Sequence, residues 1–252
     1  MQLKYLGFVL GLLISVLPLC NANDDVTYFD TNTYIMLYFE GADGGTSSPN
    51  RAQFGGTGSA GLGLGNIDTG QSKFGGTSLQ CGGGVPTPWA ITADPLIGWS
   101  TFTIDLWVRF STVATAGLGG IISSASDYWS LGYDSGGTLE FDYQVAGVSE
   151  ILISNPWVPS ADTWYHIALV RNSSDWYMFI DGGQIGSTAT DSSSIADTGA
   201  GGVRPCTGRV NDTTTNAVVG WVDEYRITQT ALWTSNFTPP NSQYVTDGKR
   251  ML

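Results

Sequence analysis

The chain has 252 residues, of which 12% are aromatic and only 13% charged, and its 22 acidic against 10 basic side chains give a formal net charge of −12. A surface of that sign repels phosphate, which disfavours nucleic acid and anionic membranes as partners and is compatible with cations. With so few charges, much of the surface falls to Ser, Thr, Asn and Gly, a composition suited to the outside of cells.

The first segment reads as an export signal. Lys4 precedes an apolar run from Leu6 to Leu19, and Cys20-Asn21-Ala22 places small residues before a polar Asn23-Asp24-Asp25. Cleavage is expected after Ala22, making residues 1–22 a signal peptide and 23–252 a single exported domain. The run is shorter than the ~20 apolar residues a membrane-spanning helix needs, so membrane insertion is not expected. Leu17-Pro18-Leu19-Cys20 lacks the small residue that precedes a lipidated cysteine, and Cys20 leaves with the signal. Losing Lys4 takes the net charge to −13.

From there on the pattern is that of strands. In TYIMLYF, Ile35, Leu37 and Phe39 share one face. In FTIDLWVRF, Phe102, Ile104, Leu106, Val108 and Phe110 share one face, and Asp105, Trp107 and Arg109 take the other. Shorter strands are expected at 120–124, 128–133, 138–143 and 149–154. A hairpin follows, 164–171 with 176–180, and Asp181-Gly182 turns the chain towards 184–187. The last strand is expected at 218–228. Segments 41–73 and 187–215, rich in Gly, Ser, Thr and Asp, read as long surface loops with one strand each at most. Many short strands without helices imply an all-β fold, two antiparallel sheets packed as a jelly-roll sandwich.

Two cysteines remain after export, Cys81 and Cys206, and an oxidising compartment favours their pairing. The alternative is two buried thiols. Asn172-Ser173-Ser174, Asn211-Asp212-Thr213 and Asn236-Phe237-Thr238 are N-glycosylation sequons.

Several strings occur in the order and spacing of one family: IMLYFEGADG (35–44), SKFGGTSLQCGG (72–83), FTIDLWVRF, TWYHIALVR (163–171), WYMFIDGGQIGS (176–187) and GWVDEYRITQTALWTSNFTPP (220–240). The chain resembles the laminin-G-like, concanavalin A-like lectin/glucanase jelly-roll domains. Cys81 stands where that family has an apolar or aromatic residue, and 203–216 reads as an insertion bearing the second cysteine.

Asp223 shares strand parity with Tyr225 and Ile227, so it is expected to point inward, where a carboxylate needs a cation, an arginine or several donors. The resemblance implies a structural calcium ion held by Asp223 with Glu40 and Asp43. The other reading has Asp223 capping backbone amides. Glu224 and Arg226, two apart, are expected to pair on the other face. His166, the single histidine, is expected to be structural.

Glu140-Phe141-Asp142 resembles the start of the glucanase active strand, but Val145 stands where its last carboxylate belongs, so no acid and nucleophile pair is formed. Of the nine tryptophans, Trp107, Trp164, Trp176 and Trp221 lie in strands and are expected to pack, whereas Trp89, Trp99, Trp129 and Trp157 lie in or beside loops and are the candidates for sugar stacking. The expectation is a secreted, non-enzymatic recognition module for a glycan or glycoprotein, stabilised by calcium. The alternative is a subunit that self-associates into an extracellular filament or coat.

Overall fold

A computed structural model describes residues 32–48, 65–82, 95–124, 127–134, 136–196, 202–206 and 218–244. The expected signal segment 1–22, Trp89 and Asn211 lie outside the described residues. No helix occurs among the described residues. The strands are β1 (Thr33–Leu37), β2 (Asn66–Asp68), β3 (Ser78–Cys81), β4 (Thr101–Thr112), β5 (Ala116–Ser124), β6 (Asp127–Asp134), β7 (Thr138–Val145), β8 (Val148–Pro156), β9 (Trp164–Asn172), β10 (Asp175–Ile180), β11 (Gly183–Thr190), β12 (Val203–Pro205) and β13 (Val219–Thr228).

They form two antiparallel sheets. The larger runs β11-β10-β9-β4-β13-β3-β2, with β1 also paired to β13; the smaller runs β12-β5-β6-β7-β8. Alternation in sequence sets the sandwich: Phe102, Ile104, Leu106, Val108 and Phe110 of β4 are fully buried and meet Leu131, Phe141 and Tyr143 of the smaller sheet in one core. Close approach of the layers is visible at Gly119, where a Cβ would run into the Tyr225 ring reaching across from β13.

β13 is the hinge of the arrangement. β4 flanks it on one side; on the other, β3 pairs with Gly220 to Val222 and β1 with Tyr225 to Thr228. The ladder to β4 slips between Asp223 and Arg226, and Glu224 takes φ of 50°. This bulge overturns the expected parity of Asp223. Val222 and Tyr225 both face the core, so Asp223 stands opposite Trp107 on the face away from it.

That outer face of the larger sheet is partly covered by the segment after β13. Trp233 and Phe237 stack at 3.9 Å, Phe237 packs on Phe179, and Tyr244 joins Met36 and Tyr38. Leu232 N donates to Thr103 Oγ1 (3.0 Å) and Phe237 N to the Gly182 carbonyl (3.0 Å), fastening this strap across β4 and the β10–β11 turn. Cys81 on β3 and Cys206 just beyond β12 are joined in a disulfide that ties one sheet to the other.

Candidate functional site: two outward faces and a buried charge network

Beneath the strap lies a sealed set of polar groups. Arg226 forks onto Asp105, Nε to Oδ1 at 2.8 Å and Nη2 to Oδ2 at 2.9 Å, and Tyr244 donates its hydroxyl to the same Oδ2. His166 Nε2 lies 3.3 Å from that oxygen and 3.2 Å from the Tyr244 hydroxyl. Burial pushes the Asp105 carboxyl up, but Arg226 and His166 outweigh it and hold the group below the usual carboxylate range. Asp105 and His166 are both fully buried, so the single histidine serves the architecture. Arg226 thus finds its carboxylate on β4, and Glu224, turned aside by the bulge, accepts from Tyr244 N at 2.9 Å.

The acids expected to hold calcium are engaged by protein donors. Asp223 accepts from the backbone amides of Lys73 (2.8 Å), Phe74 (3.2 Å) and Glu224 (2.9 Å), the arrangement of the amide-capping reading. Burial pushes its carboxyl up to about 7, offset in part by those amides and reinforced by Glu40. Glu40 accepts from Thr77 Oγ1 (2.9 Å) and Gln243 Nε2 (3.0 Å), and Asp43 from Thr69 N (3.1 Å) and Oγ1 (3.3 Å). Among the described residues no three acids, histidines or cysteines gather closely enough for a metal ion. Glu40 lies close enough to Asp223 to act on its charge, and each of the three acids is held by protein donors.

The outer face of the smaller sheet carries a lattice of polar groups. Asp142 accepts from Tyr128 OH (2.7 Å), Ser149 Oγ (2.7 Å) and Gln144 Nε2 (3.1 Å). Glu140 accepts from Thr138 (2.9 Å) and Ser154 (3.1 Å). The position after Asp142 on this face of β7 is Gln144, and Val145 follows it.

Tryptophans divide differently from the sequence expectation. Trp129, expected beside a loop, lies in β6 with its side chain inward, 1% exposed against Phe141; this corrects its assignment as a stacking platform. Trp99 is partly buried against Tyr34, and Trp157 sits among Phe110, Tyr133 and Tyr165, both packed onto the core. Trp176 and Trp107 are buried as expected. Trp164 and Trp221, also expected to pack, instead point outward from the larger sheet, half-buried and outside the apolar clusters of the described residues.

Register brings these two into one row. Trp164 pairs with Arg109, Arg109 with Trp221, Trp221 with Gln80 and Gln80 with Asn66, and all five are partly exposed. Trp221 Nε1 donates to Asp68, the Arg109 guanidinium lies 5.0 Å from the Trp221 ring, and Arg109 pairs with Asp162 at 2.8 Å. The outward setting of Arg109 was legible from its parity with Asp105 and Trp107. Its alignment with residues far away in the chain was not. Of the sequons, Asn172 ends β9 at the exposed hairpin turn, and Asn236 lies exposed in the strap, its Oδ1 accepting from Gln184 N at 3.0 Å.

The described residues thus form a two-sheet antiparallel sandwich with partly exposed tryptophans on the larger sheet. The model of the concanavalin A-like lectin/glucanases superfamily, in its laminin-G form, matches residues 83–235, more than half of the chain, and the chain belongs to that family. No curated protein matches it. Among solved structures it is similar to the CBM40 domain of Ruminococcus gnavus IT-sialidase bound to alpha2,3 sialyllactose, with TM-score 0.51, 13% identity, 61% of this chain and 90% of that one covered. It is also similar to a botulinum neurotoxin type C chain from a study of its interaction with two ganglioside molecules, with TM-score 0.53, 14% identity, 80% of this chain and 49% of that one covered. At such identities these likenesses show the fold.

Proposed function

We propose that this protein is a secreted, non-enzymatic recognition module for carbohydrate. The observation that carries the reading is the placement of Trp164 and Trp221, whose rings stay outside the apolar clusters and are held half-exposed among polar and charged neighbours. Leaving such rings exposed to water is unfavourable unless a partner covers them, and a sugar supplies both an apolar C–H face and hydroxyls for the flanking groups. Membership of a lectin-like family and the sialyllactose and gangliosides associated with similar structures agree with this reading. Hydrolysis does not suit the site: Glu140 and Asp142 are occupied by hydroxyl and amide donors, and a glycosidase needs one acid free to protonate and a partner across the bond. Calcium enters no step of the reading.

The test is binding of the purified protein to a broad glycan array, with and without chelator. Saturable binding to a restricted set of glycans is expected. Uniformly blank arrays would sink the proposal, and loss of binding with chelator would support the calcium expectation. A second reading, self-association, draws on β8, an edge strand whose Val148 and Leu152 are 60% and 56% exposed. Light scattering that finds a monomer at all concentrations would remove it.

A further inference from the structure

We infer that the row Trp164, Arg109, Trp221, Gln80 and Asn66 is an extended platform for a neutral, β-linked linear polysaccharide. The inference rests on the carbohydrate reading above and names its site and ligand class.

Length is the first argument. The five residues occupy neighbouring positions on β9, β4, β13, β3 and β2, so the row crosses four strand spacings of about 4.8 Å, or about 19 Å, room for roughly four pyranose rings end to end. The two indoles stand two strands apart, about 10 Å between backbones, which matches roughly every second ring of an extended β-linked chain. Arg109 lies between them, and Gln80 and Asn66 continue the row with donors and acceptors for ring hydroxyls.

Its ends are the second argument. β2 is an edge strand, and β10 stops short of Trp164, its pairing with β9 ending at Ile180 and Ile167. No described strand closes either end of the row. Among the described strands, the row offers an extended ligand an open line to lie along.

Charge is the third. Arg109 is neutralised by Asp162, and Asp68 brings a further carboxylate to the row. Lys73 lies over Trp107 at 3.8 Å with Asp181 and Asp223 as its electrostatic neighbours. Arg171 and Arg226 are buried on protein acceptors, and Arg204 belongs to β12 of the other sheet. An acidic sugar needs an uncommitted guanidinium or ammonium for its carboxylate, and among the described residues the row provides none. Hydroxyls, by contrast, suit Asp68 and Asp162 as acceptors. The Asp68 bond and the Arg109 contact also fix the Trp221 ring before binding, which lowers the ordering cost.

The experiment is calorimetric titration with neutral β-1,4-linked gluco-, xylo- and manno-oligosaccharides from disaccharide to hexasaccharide, alongside 3′-sialyllactose. For one of the neutral series, affinity is expected to climb to about the tetrasaccharide and then level off, with sialyllactose inert. Trp221→Ala and Trp164→Ala are each expected to weaken that binding about tenfold. Gln80→Ala, which removes little packed surface, is expected to weaken it about threefold, so a fold defect in a tryptophan variant does not decide the matter. Strongest binding to a disaccharide or to sialyllactose, or unchanged affinity in all three variants with melting temperatures intact, would overturn the platform and leave carbohydrate recognition standing. Failure to bind any sugar here and on the array would overturn both.

Discussion

Two buried aspartates of this protein answer burial in opposite ways, and the difference is the neighbour each one meets. Asp105 meets the Arg226 fork, so its charge is held. Replacing it with Asn leaves Arg226 buried without its counter-charge, and the expected cost is about 3–5 kcal/mol in urea unfolding. A loss under about 1 kcal/mol would mean the pair is solvated in solution. Asp223 accepts from backbone amides and has Glu40 nearby, and burial raises its carboxyl from 3.8 to about 7. A raised carboxyl contributes stability that is complete below its unfolded value and lost as pH climbs through the folded one. Asp105, being lowered, works the other way and withdraws stability only at pH below about 3.8. The thermal midpoint is therefore expected to peak near pH 4 and decline towards pH 7. Glu224, raised by burial and by Asp223, bends the curve in the same direction. Asp223→Asn is expected to flatten that decline, and an unchanged slope in the variant would contradict the assignment.

Among the elements, alternation made the long strands readable, and β4 runs as its apolar face required. β2 and β12, three residues each, are too short to show a period, and they lie in the two segments that read as loops. The bulge at Glu224 also escaped, because one inserted residue reverses every parity before it and nothing in Val-Asp-Glu-Tyr marks the spot. The same limit hid the row on the larger sheet. Trp164 and Trp221 are 57 positions apart in sequence, and only the order of β9, β4 and β13 makes them neighbours of Arg109. Strand tryptophans were expected to pack because a strand has a buried face; these two, in register with Arg109, sit on the other face. The strap itself depends on Gly182, which has φ of 76° and whose added Cβ would enter the Phe237 carbonyl. Gly182→Ala is expected to cost about 1–3 kcal/mol and to expose the C-terminal segment to limited proteolysis. Cleavage there at the wild-type rate would show that the strap does not rest on this turn.

At the scale of the whole molecule, the sheets are joined by core packing and by the Cys81–Cys206 disulfide, across 125 residues of sequence. Closing a loop that long removes conformational freedom from the unfolded chain, about 5 kcal/mol in the chain-entropy account. Its local effect is uneven. On one side it holds β12, a three-residue edge strand paired only with β5. On the other it holds β3, where Cys81 faces the core and its neighbour Gln80 faces outward in the tryptophan row. The staple thus backs the β3–β2 end of the proposed platform, while Trp164 and Arg109 are framed by the long β4–β9 ladder and do not depend on it. A Cys81→Ala/Cys206→Ala double variant is expected to lose up to about 5 kcal/mol in denaturant unfolding. Amide exchange should rise first at 203–205 and in β2 and β3. Oligosaccharide binding should fade unevenly as well: tetrasaccharides and longer chains lose affinity, whereas shorter ones, which reach only Trp164 to Trp221, hold theirs. Unchanged affinity at every chain length would mean that β3 contributes no contact to the sugar and that the row ends at Trp221.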